Sequence, residues 1–185
     1  MRAAGIIFFL FAVLVACSNK SAQLDRIEIK LDSIYVDEEE GSDTVKGELL
    51  IVYYCTLRSL GDSIINMQVR NYYSEEKPEA NFNLINSRDT LGLYLVTPKS
   101  LKVSPKGELH FGLATSTIGV VDLFEKYGYS HEHHSKSNKL TEFEFLRKIA
   151  RESFILFEWR GHKREIRDLE NVKISYRDPN DNTIK

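Results

Sequence analysis

The densest group of metal-binding side chains in this sequence is the segment His131-Glu132-His133-His134. Imidazole nitrogens bind zinc and copper, so His131, His133 and His134 are candidate metal ligands. Their spacing differs from the His-Glu-x-x-His of a helical zinc protease, in which both histidines share one helix face. The segment 130–139 contains no apolar side chain. We therefore expect a solvated loop without a structural metal, and we predict no cofactor.

A second candidate site lies further along the chain, where an aromatic ring stands beside cations. Trp159, Arg160 and His162 are its candidate ligand-binding residues, and Lys163 and Arg164 follow them directly. This composition is enriched at binding interfaces. Three acidic residues interleave with the group and would neutralise its charge: Glu158, Glu165 and Asp168. The sequence leaves two interpretations open, a ligand-binding hairpin and an ordinary charged hairpin, and the acidic residues favour the second.

Motifs of known enzyme classes do not occur in the sequence. It contains no Gly-x-Ser-x-Gly elbow, Walker loop or dinucleotide fingerprint. Asp178, Asn180 and Asn182 resemble the start of a calcium loop, but Thr183 stands where that loop needs glycine. Carboxylates are plentiful, and a sequence does not show whether two of them meet in a cleft. The motifs therefore favour a noncatalytic protein without excluding an enzyme.

The elements that would position these groups follow an apolar leader. Met1 and Arg2 form a short positive segment, and an almost unbroken apolar run extends to Ala16 before the chain turns polar at Ser18. A membrane-spanning helix needs about 20 apolar residues. The run is shorter than that and is typical of a signal peptide.

The end of this leader, Leu14-Val15-Ala16-Cys17, resembles the lipobox of bacterial lipoprotein precursors, with Leu at −3, a small residue at −1 and Cys at +1. The resemblance implies that Cys17 receives a diacylglycerol thioether and becomes the acylated N-terminus. Several acyl chains hold a protein stably on a membrane. Ser18 stands where inner-membrane lipoproteins often carry Asp, which favours the outer membrane. A secreted protein with an incidental cysteine is the alternative.

Length and charge set limits on the rest of the chain. We divide it into a signal peptide (1–16), a tether carrying Cys17 (17–24), a single domain (25–178) and a polar tail (179–185). The formal net charge of −2 gives no basic footprint for nucleic acid. Cys55, in an apolar run, is predicted to be a buried free thiol without an intrachain disulfide partner.

Alternating apolar and polar residues predict a mainly β domain. Ile27, Ile29 and Leu31 begin the pattern, whose phase changes after Asp32-Ser33, where we expect a bulge. The run 49–57 is apolar at both parities and predicts a central strand covered on both faces. Ser104-Pro105-Lys106-Gly107 has the residue preferences of a type I turn, and Arg160-Gly161-His162-Lys163 is a second predicted turn. Helical spacing predicts a short helical insertion near residues 118–152.

Short strands separated by turns predict an antiparallel β-sandwich. The Pro-Lys-Gly turn before an alternating strand is similar to those of immunoglobulin-like envelope modules. The function predicted from the sequence is a lipid-anchored, noncatalytic envelope module that binds a protein or a cell-surface ligand, with the membrane as a partner through its lipid and no nucleic acid. Two alternatives stay open: an envelope hydrolase whose acid and base groups assemble only in the fold, and a structural subunit of an envelope complex.

Overall fold

A computed structural model describes residues 26–39, 48–71, 77–97, 100–116 and 139–177, together with residues 123, 126 and 127. This part of the chain is mainly β, as predicted, with ten strands, one α-helix and a 3-10 helix, Leu169–Asn171. In chain order the elements are β1 (Ile27–Glu39), β2 (Glu48–Ser59), β3 (Ile65–Met67), β4 (Ala80–Asn86), β5 (Thr90–Thr97), β6 (Leu101–Val103), β7 (Glu108–Ala114), α1 (Lys139–Arg151), β8 (Ser153–Trp159), β9 (His162–Ile166) and β10 (Lys173–Arg177).

Eight of these strands form one continuous sheet in the order β10-β1-β2-β7-β5-β4-β8-β9. Neighbours are antiparallel except β1 and β10, which are parallel. The sheet curls into a half-barrel, and Arg164 on the edge strand β9 donates a hydrogen bond to the carbonyl of Ile27 on β1. Strands β3 and β6 pair separately.

The concave face of the sheet holds the core. Every second side chain of β4 and β8 is buried, which is the pattern of strands with one covered face. Phe82 stacks on Phe157 with ring centroids 4.8 Å apart, and Phe111 lies 5.7 Å from Phe82 on the other side. These rings come from three strands, β4, β8 and β7. Each such aromatic pair stabilises the fold by about 0.5–1.5 kcal/mol beyond the area that it buries.

Helix α1 covers one end of the half-barrel. Its buried residues Leu146, Ile149 and Ala150 belong to the core, and the chain leaves the helix through Ser153, whose Oγ donates to the Ile149 carbonyl at 2.6 Å. The predicted helical insertion is therefore confirmed for α1. Leu123 and Tyr127 are also buried in the core. Most of the remaining residues between 117 and 138 lie outside the described part.

The structure corrects three local predictions. Strand β2 is central but not covered on both faces, because Tyr54 on the convex face is 45% exposed. The turn at Ser104 exists, with Gly107 N–H donating to the Ser104 carbonyl at 3.0 Å. However, Lys106 has φ +54°, which a type II turn requires at that position and a type I turn does not. The turn after β8 is shorter than predicted, because His162 already belongs to β9.

Other predictions are confirmed. The register of β1 against β2 shifts between Leu31 and Ser33, where the bulge was expected. Cys55 is a buried free thiol. Separately from these predictions, the described residues contain no helix that is long and apolar enough to cross a membrane. The predicted leader, residues 1–16, lies outside them.

The burial of two ionisable side chains, Cys55 and Tyr53, makes the free energy of unfolding depend on pH in the alkaline range. Burial raises the pKa of the Cys55 thiol well above its ordinary value of 9.0, and nearby Asp32 raises it further. Burial likewise raises the pKa of Tyr53 above 10.0. Both groups stay protonated in the folded chain at a pH where the unfolded chain loses their protons. The stabilisation is therefore complete below about pH 9 and is lost as the pH rises above it.

We predict that the free energy of unfolding falls between pH 9 and 11 by up to about 1.4 kcal/mol per pH unit for each of the two groups. Denaturant unfolding at a series of pH values measures this slope. In Cys55→Ala, the unfolding free energy should fall less steeply with pH, because only Tyr53 still contributes to the slope. An unfolding free energy that stays constant or rises over this range in the wild type would contradict the prediction.

Candidate functional site

The end of the half-barrel opposite α1 contains a cleft of about 190 Å³. Strand β8 begins beside the helix at Ser153 and reaches this end at Trp159, so the two ends are separated by the length of the strand. The cleft is lined by residues from three separate parts of the chain: Arg26, Ser59, Gly61, Ser63, Ile64, Ile65, Asn66, Trp159 and Arg160. We call it the end cleft.

Backbone hydrogen bonds fix the rim of the end cleft. Strand β2 ends at Ser59, whose N–H donates to the Gly107 carbonyl at 2.9 Å. The next residue, Leu60, donates to the Arg26 carbonyl at 2.7 Å, and the Gly61 carbonyl accepts from Lys106 N–H at 3.2 Å. The loop after β2 is thus tied both to the start of β1 and to the turn before β7. A Cβ on Gly61 would lie 3.0 Å from Cδ of Arg26, so glycine allows this close approach.

Trp159 closes the other side of the end cleft. It is the last residue of β8 and pairs with Ala80 on β4 and His162 on β9. The chain then reverses through Arg160 at φ +50° and Gly161 at φ +83°. Two consecutive positive φ angles characterise the type I′ turn of a two-residue hairpin, whose twist matches that of the strands. This turn holds the Arg160 guanidinium 5.0 Å from the centre of the indole ring.

Two polar side chains of the end cleft are buried without a hydrogen-bond partner. The indole Nε1 of Trp159 and the Oγ of Ser59 have none, and these residues are only 4% and 1% exposed. An unsatisfied buried donor or hydroxyl costs about 1–3 kcal/mol. Such groups are uncommon in folded proteins unless water or a ligand completes them. Three further buried polar atoms of the described residues also lack a partner, on Asn81, Thr115 and Ser175, whereas those of Trp159 and Ser59 belong to two residues that line the same cleft.

The charge of the end cleft is positive. Arg26 and Arg160 are among its lining residues, and that set contains no Asp or Glu. Arg160 also has a carboxylate of Glu79 at 3.8 Å. On the rim, Asp62 is paired with Lys106 at 3.1 Å, so this acid is locally balanced. The end cleft therefore suits an anionic acceptor.

The interleaved acids neutralise part of the hairpin. Glu158 pairs with Lys163 at 2.5 Å, and Glu165 pairs with Arg167 at 2.6 Å. Neither of these pairs includes Arg160. Asp168, at φ +65°, precedes the 3-10 helix. Glu158 therefore neutralises Lys163, a cation of the candidate site, as predicted, whereas the carboxylate paired with Arg160 comes from Glu79 on a different part of the chain.

The structure thus brings together two of the three residues suggested by the sequence. Trp159 and Arg160 line the end cleft, whereas His162 pairs with Trp159 across the hairpin and does not line it. Cys17 and the histidines His131, His133 and His134 lie outside the described residues. Within the part that is described, no group of three or more His, Cys, Asp or Glu side chains could hold a metal ion.

A polar cluster on the convex face deserves comparison with catalytic triads. Thr56 donates to Asp32 at 2.5 Å, and its Oγ1 lies 2.8 Å from Nδ1 of His110. In a triad the imidazole stands between carboxylate and hydroxyl and removes the hydroxyl proton. Here the hydroxyl stands in the middle and donates its hydrogen bond to the carboxylate of Asp32. Nδ1 of His110 therefore donates a hydrogen bond to the hydroxyl. The cluster links β1, β2 and β7 and does not activate a nucleophile.

Comparison with known proteins gives no relative for this chain, because no family model, no curated protein and no solved structure matches it.

We predict that Ser59→Ala raises the free energy of unfolding by about 1 kcal/mol, because it removes a buried hydroxyl that has no partner. The matched control is Ser153→Ala, which removes a buried hydroxyl that accepts from Asn86 at 2.8 Å and donates to Ile149. This control should lower the same free energy by about 1–3 kcal/mol. Denaturant unfolding of both variants checks the prediction. Equal destabilisation by both substitutions would contradict it.

Proposed function

We propose that this protein is a lipid-anchored module of the bacterial envelope that binds an anionic ligand in the end cleft without transforming it. The observation that carries the proposal is a cleft lined by Arg26 and Arg160, whose other lining residues Trp159 and Ser59 have buried polar atoms without a hydrogen-bond partner. A site whose donors are fixed in advance binds a ligand without the cost of ordering side chains. The two polar atoms without partners lower the free energy of unfolding, and such a loss of stability is common at functional sites.

Location in the envelope is proposed from the leader. The lipobox Leu14-Val15-Ala16-Cys17 supports anchoring through Cys17, and Ser18 supports the outer membrane. An immunoglobulin-like sandwich is also proposed for the domain, supported by its mainly antiparallel pairing. The parallel pairing of β1 with β10 and the continuous order of eight strands distinguish this chain within such an architecture.

The test of anchoring is metabolic labelling with palmitate. The wild type should incorporate the label, and Cys17→Ser should not, because the thiol of Cys17 is the acceptor. Cys55→Ser is the matched control and should keep the label, since that cysteine is buried. Persistent labelling of Cys17→Ser would overturn the lipoprotein assignment.

The test of binding uses the single tryptophan of the chain, which is Trp159. A detergent extract of the envelope should change the fluorescence emission of Trp159. The reason is that a ligand in the end cleft changes the surroundings of the indole ring, which lines this cleft. Ser59→Leu should abolish this response by filling the cleft. Thr90→Leu, at an exposed position on β5, should retain it. Equal responses of wild type and Ser59→Leu, or none from either, would refute binding in the end cleft.

A further inference from the structure

We propose that the end cleft binds the phosphate head group of an anionic membrane lipid, and that the loop after β2 inserts into the surface of the same bilayer. The inference rests on the proposed function and names the ligand class for its cleft. Four features of this end of the domain carry it: the chemistry of the donors, the arrangement of charge, the exposed apolar side chains of the loop, and the position of the anchor.

The donors of the end cleft match a phosphate. The guanidinium groups of Arg26 and Arg160 only donate hydrogen bonds, and Nε1 of Trp159 is a further donor, buried behind the cleft and without a partner. Phosphate oxygens only accept when ionised, and arginine binds them with paired, charge-assisted hydrogen bonds. Arg26 and Arg160 enter from different elements, the start of β1 and the turn after β8. Two guanidiniums that approach from two sides of one cleft can hold separate oxygens of one head group.

The loop after β2 carries two exposed apolar side chains beside this charge. Leu60 is 53% exposed and Ile64 is 62% exposed, and they are two of the four exposed large hydrophobic residues of the described chain. Ile64 itself lines the end cleft. An apolar residue next to a phosphate-binding cleft would contact the acyl region of the lipid whose head group lies in the cleft. Apolar side chains flanked by basic ones are the usual composition of surfaces that rest on anionic bilayers.

The proposed anchor places this end of the domain near the bilayer. Arg26 lines the end cleft and lies nine residues after Cys17. A fully extended chain spans at most about 3.6 Å per residue, so the cleft stays within roughly 30 Å of the lipidated residue. A lipid phosphate is therefore present near the cleft at high local concentration, whereas a soluble ligand would have to reach it by diffusion.

The test reconstitutes the processed, lipidated protein into vesicles and records Trp159 emission. One set of vesicles contains only phosphatidylcholine, and a second set contains phosphatidylglycerol as well. The emission should shift with the anionic lipid and titrate with its fraction. Arg26→Gln and Arg160→Gln should each raise the lipid fraction needed for half of the shift by about fivefold. Arg58→Gln, which removes an exposed arginine paired with Glu108 on the convex face, should leave it unchanged.

Insertion of the loop is measured with brominated acyl chains, which quench tryptophan at short range. Quenching of Trp159 should be present in wild type and should fall in the double variant Leu60→Ser, Ile64→Ser. Both residues are exposed, so the variant should fold like the wild type, which circular dichroism checks. Quenching unaffected by the double substitution would overturn the inserted loop.

Soluble phosphates distinguish the source of the ligand. Inorganic phosphate or glycerol phosphate, added to protein in phosphatidylcholine vesicles, should act only at concentrations far above those of the lipid. An equal effect of free phosphate would overturn the lipid as the source. Identical emission in both sets of vesicles would overturn the phosphate inference itself. If the envelope extract still shifts Trp159 in that case, the proposed function stands and only the ligand class fails.

Discussion

A single sheet with one apolar face must bury that face away from water, and the described structure depends on this constraint. Outside this sheet, the described residues form one α-helix, one 3-10 helix and a two-stranded sheet, which contribute only part of the buried core. The sheet therefore curls and its own strands cover one another. The aromatic stack of Phe82, Phe111 and Phe157 fills the centre from three strands. Curvature is thus the consequence of hydrophobic burial, and it brings β9 back to β1, where Arg164 contacts Ile27.

Curling a sheet produces two open ends, and the chain treats them differently. At one end, α1 contributes Leu146 and Ile149 to the core, and Asn86 connects Tyr127 with Ser153. That end is closed by apolar contacts and by polar groups that satisfy one another. At the other end, the loop after β2 and the turn after β8 leave a cleft lined by Arg26 and Arg160, in which the buried polar atoms of Trp159 and Ser59 have no hydrogen-bond partner. Buried polar groups are hydrogen-bonded to one another at the α1 end and lack partners in the end cleft. This difference is the structural reason for assigning function to the end cleft.

The sequence predicted the local features of the fold and missed those created by distant pairing. Alternation along Ile27, Ile29 and Leu31, and the phase change after Asp32, depend on residues next to one another, and both appear in the structure. The exposure of Tyr54 could not be predicted in this way. A tyrosine within an apolar run gives the same sequence pattern whether its face of the sheet is covered or exposed. Residue preferences also did not give the type of the turn at Lys106, because its φ of +54° is uncommon for a residue other than glycine.

The end cleft shows the same division. Trp159 and Arg160 could be identified because an aromatic beside a cation is visible in the sequence. Arg26 and Ser59 have no such signal, since each is ordinary in its own surroundings. They join the site only because β2 ends beside the start of β1 and β8 reaches the same end of the sheet. Prediction of such a site needs the strand order, which is set by packing of the whole core.

The parallel pairing of β10 with β1 joins the last strand of the domain to the first, with Lys173 opposite Ser33. A ribosome has to synthesise nearly the entire domain before this edge of the sheet can form, and contacts of such long sequence separation slow folding. Until then, the backbone of β1 presents unpaired amides and carbonyls to any other extended chain. The domain consequently stays unfinished throughout its synthesis. The last residues of the domain therefore close the edge that β1 would otherwise leave open.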